Sequence, residues 1–132
     1  MNAPDPDTLR HAIEQGRCLP GMTFSQQVWA LTARIPPGRV LTYADLARQL
    51  NCRAARAVGQ ALARNPYAPK VPCHRVVASD GRLTGFAQGL PAKRRLLQAE
   101  GITIQNNRLD LARYHLRHAP SQTCPQSLPP LA

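Results

Sequence analysis

Residues 42–64 read Thr42-Tyr43-Ala44-Asp45-Leu46-Ala47-Arg48-Gln49-Leu50-Asn51-Cys52-Arg53-Ala54-Ala55-Arg56-Ala57-Val58-Gly59-Gln60-Ala61-Leu62-Ala63-Arg64. Thr42 is a residue type whose side-chain oxygen caps a helix start. Behind it Ala44, Leu46, Ala47 and Leu50 supply the apolar positions of a helix over 43–50. Asn51-Cys52 is a short break, and a second helix over 53–64 follows at once. Two short helices joined by so tight a turn predict a helix-turn-helix. The second helix carries Arg53, Arg56 and Arg64 but otherwise small side chains, where a major-groove reader carries long polar ones. Its face of Ala and Gly fits two arrangements: close approach of the backbone to a narrow groove, or tight packing against another helix.

Upstream, residues 8–15 read as a short helix ended by Gly16, and Pro20-Gly21 as a turn. Thr23 or Ser25 can cap a helix over 26–34. Phe24, Val28, Leu31 and Ile35 recur there at helical spacing, and Pro36-Pro37-Gly38 stops it. Downstream, Val76-Val77 reads as a strand. Ser79-Asp80-Gly81 reads as a hairpin turn between it and Arg82-Leu83. Gly85-Phe86-Ala87-Gln88-Gly89 is a glycine-bounded loop. Pro91 suits the first turn of a helix to Glu100, with Gly101 as its stop. Residues 102–104 and 108–111 flank Gln105-Asn106-Asn107 as a second hairpin. From His118 the prolines at 120, 125, 129 and 130 and the lack of apolar residues predict disorder. The expected fold is mainly α with small β hairpins, in the α+β class: a winged helix-turn-helix. The expected organisation is an N-terminal extension with a short helix (1–22), one domain (23–117) and a Pro-rich tail (118–132).

Lys plus Arg number 17 against 7 acids, a formal net charge of +10. A small chain this basic points to a polyanion, nucleic acid before membrane, although a solubilising surplus of charge has the same composition. No apolar run approaches a membrane span. Met1-Asn2-Ala3-Pro4-Asp5-Pro6-Asp7 lacks the basic and apolar regions of a signal peptide. The cysteines at 18, 52, 73 and 124 include no Cys-x-x-Cys pair. No metal site or dithiol is therefore expected, and free thiols in a reducing, intracellular setting are the default.

The chemistry-bearing stretch is Val71-Pro72-Cys73-His74-Arg75-Val76-Val77. Pro72 fixes its own φ and pushes Val71 toward an extended conformation, so Cys73 is held between a stiff turn and a strand. The thiolate is the reactive form of cysteine, and an adjacent imidazole is the usual base for making it. Taken alone, three such residues read first as a turn with an inert, half-buried thiol, and the segments on both sides shift that reading.

Taken together, the segments resemble a known family: the C-terminal active-site domain of the O6-alkylguanine-DNA alkyltransferases, and their shorter relatives, the alkyltransferase-like proteins. The resemblance runs from about Phe24 to Tyr114. It is carried by Phe24-Ser25-Gln26-Gln27-Val28-Trp29, Tyr43, Arg53-Ala54-Ala55-Arg56-Ala57-Val58-Gly59, Asn65-Pro66, the cysteine stretch, and Leu96-Leu97-Gln98-Ala99-Glu100-Gly101. It implies a winged helix-turn-helix lying in the DNA minor groove and a damaged guanine extruded into a pocket. In that comparison Arg56 matches an arginine finger that fills the gap in the base stack. Tyr43 matches a tyrosine that rotates the nucleotide and then hydrogen-bonds the base. Cys73 matches the alkyl acceptor, His74 its base acting through a water, Glu100 the carboxylate orienting the histidine, and Asn65 the residue bracing the turn. Ser25, Ala44 and Asn51 match contacts to the DNA backbone. Val76, Ser79, Phe86 and Ala87 match positions in or near the base pocket.

The chain departs from the pattern in places. Only about twenty residues precede the match, where the alkyltransferases carry a separate N-terminal domain. That short form is typical of alkyltransferase-like proteins, which usually replace the cysteine that this chain keeps. Phe86 stands where tyrosine is common, and Gln88 where glycine is. The resemblance implies a DNA repair protein that transfers the alkyl group of O6-alkylguanine irreversibly to Cys73, without a cofactor. The alternative it leaves open is a non-catalytic lesion sensor that recruits nucleotide excision repair. Either would be a monomer acting on double-stranded DNA in a bacterial cytoplasm, at the nucleoid.

Overall fold

The computed structural model describes residues 5–67, 70–84 and 89–116. Helix α1 (Pro6–Glu14) begins earlier than expected. The Asp5 carboxylate accepts a hydrogen bond from the Thr8 amide at 2.7 Å, and Pro6 occupies a first-turn position that needs no N–H. Helix α2 (Phe24–Thr32) is opened by Thr23. Its hydroxyl accepts from Gln26 N at 3.1 Å while Gln26 Oε1 accepts from Thr23 N at 2.9 Å, a reciprocal capping box.

Strand β1 (Leu41–Thr42) runs directly into helix α3 (Tyr43–Gln49), and Thr42 and Asp45 form a second capping box. Each such cap is worth about 1 kcal/mol. Helix α4 (Ala55–Ala63) follows a turn in which Asn51 holds φ +54, a conformation that asparagine tolerates better than most residues. Ala54 offers no capping oxygen, and its amide instead donates to Cys52 Sγ at 3.4 Å. Helices α2, α3 and α4 close on one core of Val28, Leu31, Ile35, Leu41, Leu46, Val58, Leu62 and Val76. Trp29 Nε1 ties α2 to α4 through the Ala61 carbonyl at 2.8 Å. The small residues of α4 are divided between interior and surface, with Ala61 buried and Gly59 and Ala63 outside the buried set.

The hairpin expected around Ser79-Asp80-Gly81 is corrected in its pairing. Strand β2 (Val76–Val77) pairs in parallel with β1, Leu41 opposite Val76 and Thr42 opposite Val77. The tight turn itself forms, with Gly81 N donating to Ala78 O and Ala78 N to Arg82 O. Beyond it the chain pairs with 107–109: Leu83 N donates to Asn107 O and Leu109 N to Gly81 O. The second hairpin reduces to a turn closed by the antiparallel bridge between Gln105 and Arg108. Its outer arm becomes helix α6 (Leu111–Tyr114), because the Asp110 side chain accepts from Ala112 N and caps it. The next residues extend the sheet, since Val40 N donates to Tyr114 O and Leu116 N to Val40 O. Local turn signals were visible in the sequence, whereas partners thirty residues apart leave no local mark.

Helix α5 (Leu90–Ala99) packs Leu97 with Val40, Val77, Leu83, Ile102 and Tyr114 in a second cluster. A third cluster joins Ala12 and Ile13 of α1 to Met22 and Val71, so the N-terminal helix backs the cysteine turn. Cys52 and Cys73 are free, as expected, but Cys18 is disulfide-bonded, which corrects the expectation for that thiol. Among the described residues no helix is long and apolar enough to cross a membrane. The Pro-rich tail lies outside the described residues.

Candidate active site

Cys73 opens a single 3-10 turn, Cys73–Arg75, that leads straight into β2. Pro72 is the one local sign of this turn in the chain. The Cys73 amide donates to Val71 O and the Arg75 amide to Pro72 O, each at 2.9 Å. Asn65 spans the loop before it, with Nδ2 donating to Val71 O at 2.9 Å and Oδ1 accepting from Tyr67 N at 2.9 Å. One side chain thus satisfies two backbone groups of the turn, a role its short amide suits. Val71 is fully buried beneath it. The Cys73 thiol is half-buried and makes no hydrogen bond to a described residue.

His74 lies almost wholly inside, at 4 % exposure. Its Nε2 is 2.8 Å from Glu100 Oε2. Burial lowers the imidazole pKa against the opposing pull of Glu100, which favours the neutral ring at pH 7. With a carboxylate as its partner Nε2 carries the hydrogen, and Nδ1 is left as an acceptor. Glu100 is desolvated but still held below the usual carboxylate range by Arg75 and His74. Arg75 donates from Nη2 to Glu100 Oε2 at 2.7 Å and from Nε at 3.0 Å and 3.1 Å. Its Nη1 donates to the Ile35 carbonyl at 2.6 Å. The Gly38 amide adds a bond to Glu100 Oε1 at 3.3 Å, which anchors the Pro36-Pro37-Gly38 stop behind the imidazole.

On the other flank stands Lys93, a lysine with no exposed surface. Its Nζ donates to the carbonyls of Val76 (2.7 Å) and Thr84 (2.8 Å) and approaches Tyr43 Oη at 3.5 Å. Burial pulls its pKa down to about 8, and the Cys73 sulfur pulls the other way. Tyr43 Oη donates to Thr84 O at 3.1 Å; burial, with a smaller push from Cys73, raises the phenol pKa. Lys93 and Arg75 were not singled out in the sequence. Lys93 left a signal, because Leu90, Lys93 and Leu97 fall on one face of α5 at helical spacing. Arg75 left none, since its partners lie 25 and 40 residues away.

Tyr43, Cys73, His74, Glu100 and Asn65 are therefore brought together, while Arg56, Ser25, Ala44, Asn51 and Ser79 are exposed or half-exposed. Arg56 is exposed in the first turn of α4 and has no partner among the described residues. A Cβ on Gly59 would meet the Tyr43 ring at 3.9 Å, an ordinary contact, so the small residue is not forced by that neighbour. Ser25 and Ala44 are half-exposed in the first turns of α2 and α3, and Asn51 and Ser79 are exposed in turns. Val76 turns its side chain into the core and gives only its carbonyl to Lys93. Phe86 and Ala87 lie outside the described residues. Chemically, the cluster offers a sulfur nucleophile beside a neutral, carboxylate-oriented imidazole and a buried ammonium, which suits displacement at carbon.

Residues 23–102 match the family model described as 6-O-methylguanine DNA methyltransferase, DNA binding domain. A methylated-DNA–protein-cysteine methyltransferase of Methanosarcina acetivorans is 48 % identical over 82 residues, covering 61 % of this chain and 53 % of that protein. The chain thus spans about half the length of that relative. The crystal structure of Mycobacterium tuberculosis OGT in complex with DNA superposes with a TM-score of 0.58 at 38 % identity, covering 71 % of this chain and 64 % of the other. That of S. pombe Atl1 with damaged DNA containing O6-carboxymethylguanine gives 0.60 at 25 % identity, covering 89 % of this chain and all of the other.

Proposed function

Since this chain belongs to the family of 6-O-methylguanine DNA methyltransferase DNA-binding domains, we propose that it repairs O6-alkylguanine in duplex DNA by moving the alkyl group to Cys73. The observation that carries the reading is the continuous network Arg75–Glu100–His74 behind an available Cys73 thiol. Helix α4 enters the minor groove and the Arg56 guanidinium takes the place of the rotated nucleotide in the stack. Ser25, Ala44 and Asn51 follow the DNA backbone, Ser79 lies near the base pocket, and Tyr43 directs the base toward Cys73. The thiol proton passes through a water to His74 Nδ1, with Glu100 steadying the imidazolium that results.

The thiolate attacks the alkyl carbon, an S–C bond forms and the C–O6 bond breaks. The electron pair leaves on guanine, which takes up a proton in the pocket. Tyr43 Oη and the Lys93 ammonium are the donors nearest to receive that developing charge. The thioether is stable, so each molecule reacts once, as a methylated-DNA–[protein]-cysteine S-methyltransferase without cofactor. We read 23–117 as the working domain, 1–22 as an extension that buttresses it and 118–132 as a tail, in a monomer acting at the bacterial nucleoid.

A second reading has its own support: the superposition on S. pombe Atl1 covers the whole of that chain. On this reading the protein binds the lesion without reacting and recruits nucleotide excision repair proteins. Intact-protein mass spectrometry after incubation with a duplex containing O6-methylguanine separates the two. Transfer adds one methyl to the wild type and none to Cys73→Ser. Wild type that binds this duplex and stays unmodified in long incubations leaves the sensor reading in its place.

A further inference from the structure

Outside the cysteine centre, a groove of about 600 Å³ is lined by Thr42, Ala44, Asp45, Arg48 and Ser79 on one side and by Leu111, Ala112 and His115 on the other. The first set lies within the matched family region and the second lies beyond its end at residue 102. The groove exists because the 114–116 segment pairs with Val40 and brings His115 across to α3. There His115 Nε2 lies 2.7 Å from Asp45 Oδ2. Asp45 also receives the Thr42 amide at 2.8 Å and the Arg48 guanidinium, and its side chain is only 10 % exposed. This carboxylate is therefore spent inside the protein. The Arg48 side chain is 72 % exposed, and His115 is 30 % exposed with no partner for Nδ1 among the described residues. The Ser79 hydroxyl is likewise exposed and unengaged by described residues.

We propose that this groove seats a phosphate of the DNA backbone, with Arg48, His115 and Ser79 as its donors. The inference rests on the DNA-repair reading above and extends the protein–DNA contact to a segment that the family match does not include. An imidazole whose Nε2–H is held by Asp45 can donate from Nδ1 only when protonated. Donation to the phosphate therefore requires a proton on Nδ1, so the contact is favoured at acid pH. The charged groups lining the groove beside His115 are Asp45 and Arg48. Next to Ser79, Asp80 is bound by Arg82 and Arg108, and Arg39 donates to the Arg113 carbonyl. None of these replaces the imidazole proton.

The test is fluorescence anisotropy with a labelled duplex, undamaged or carrying one O6-methylguanine, between pH 5.5 and 8.5 over a range of salt. At the acid end His115→Gln loses about tenfold in affinity for both duplexes, the scale of one charge-assisted hydrogen bond. Its binding becomes flatter with pH than the wild type's, and its salt slope falls by about one. Arg48→Gln, at an exposed position, lowers affinity while keeping the pH dependence. Wild-type affinity and pH profile in His115→Gln, with melting temperature unchanged, overturn the phosphate seat and leave the repair reading standing. Failure of the wild type to bind either duplex overturns both.

Discussion

Glu100 places one carboxylate oxygen 2.8 Å from His74 Nε2 and 2.7 Å from Arg75 Nη2, so a single side chain holds the imidazole and is itself held by a guanidinium. Glu100→Gln keeps the shape and loses the charge. Duplex affinity should stay near wild type while single-turnover transfer slows. General-base assistance is worth roughly a hundredfold to ten-thousandfold, and losing its orienter should cost a share of that. Unchanged transfer would remove Glu100 from the mechanism. Because the folded carboxyl pKa is lowered, its stabilisation is present above the ordinary carboxylate range and lost as pH falls through the folded value. The lowered His74 value acts in the same direction, since protonation near and below pH 6.5 favours the unfolded chain. Through the carboxylate range, where the Glu100 term acts, wild type should therefore lose melting temperature on acidification more steeply than Glu100→Gln.

Lys93 titrates at the opposite end of the scale. Its pKa is about 8 in the fold against 10.5 in the open chain, so the unfolded state binds the extra proton between those values. From this group alone, stability rises with pH across that window, by on the order of 3 kcal/mol. Urea midpoints of wild type and Lys93→Met from pH 7 to 10 test it: the difference between them should shift in favour of wild type as pH rises. The same variant removes the cation beside Tyr43 and Cys73, and its transfer rate should drop.

Tyr43→Phe keeps the ring and removes the donor to Thr84 O. Transfer should slow while binding to undamaged duplex holds. Tyr43→Ala also opens a cavity beside Gly59 and should lower the melting temperature, lesion discrimination and transfer together. A Tyr43→Phe protein reacting at the wild-type rate would reduce Tyr43 to a packing residue.

Arg56 is exposed and unpartnered among the described residues, so Arg56→Ala should leave the melting temperature within experimental scatter. Lesion binding or transfer should fall markedly. Equal loss of affinity for damaged and undamaged duplexes, with the salt slope lowered by about one, would identify a phosphate contact instead of a finger.

Gly81 holds φ +88, and a Cβ there would lie 2.3 Å from the Leu109 carbonyl oxygen. Gly81→Ala should destabilise the protein by about 2 kcal/mol or more, combining backbone strain with displacement of the 107–109 segment. Thermal melts of the purified variant measure this directly.

The elements that local chemistry specifies were legible in the sequence. Thr42 with Asp45, and Thr23 with Gln26, fix two helix starts within four residues of chain, and Gly101 marks the end of α5. The stiff start of the cysteine turn was legible through Pro72 for the same reason, whereas the bracing role of Asn65 came from the family resemblance. What escaped were relationships carried over long separations. The parallel pairing of 41–42 with 76–77, the Arg75 bridge to Ile35 and the return of 114–116 to Val40 depend on the assembled core and not on neighbours. Lys93 was hidden differently: a lysine on an apolar helix face reads as a breach in the pattern until Val76 and Thr84 supply two carbonyls.

Two rungs of parallel sheet carry an uneven share of this geometry. Leu41–Thr42 ends one residue before Tyr43, and Val76–Val77 begins one residue after the Cys73–Arg75 turn. The ladder is thus a shared datum from which the phenol and the thiol are both measured. A one-residue slip would slide them past each other by about 3.3 Å and turn alternate side chains to the wrong face. Insertions in the turn at 50–54 leave that datum alone, whereas a single residue added at 41–43 or 73–77 resets it. Length in this chain is free to vary in the 50–54 turn and fixed in the two short strands and the residues that adjoin them.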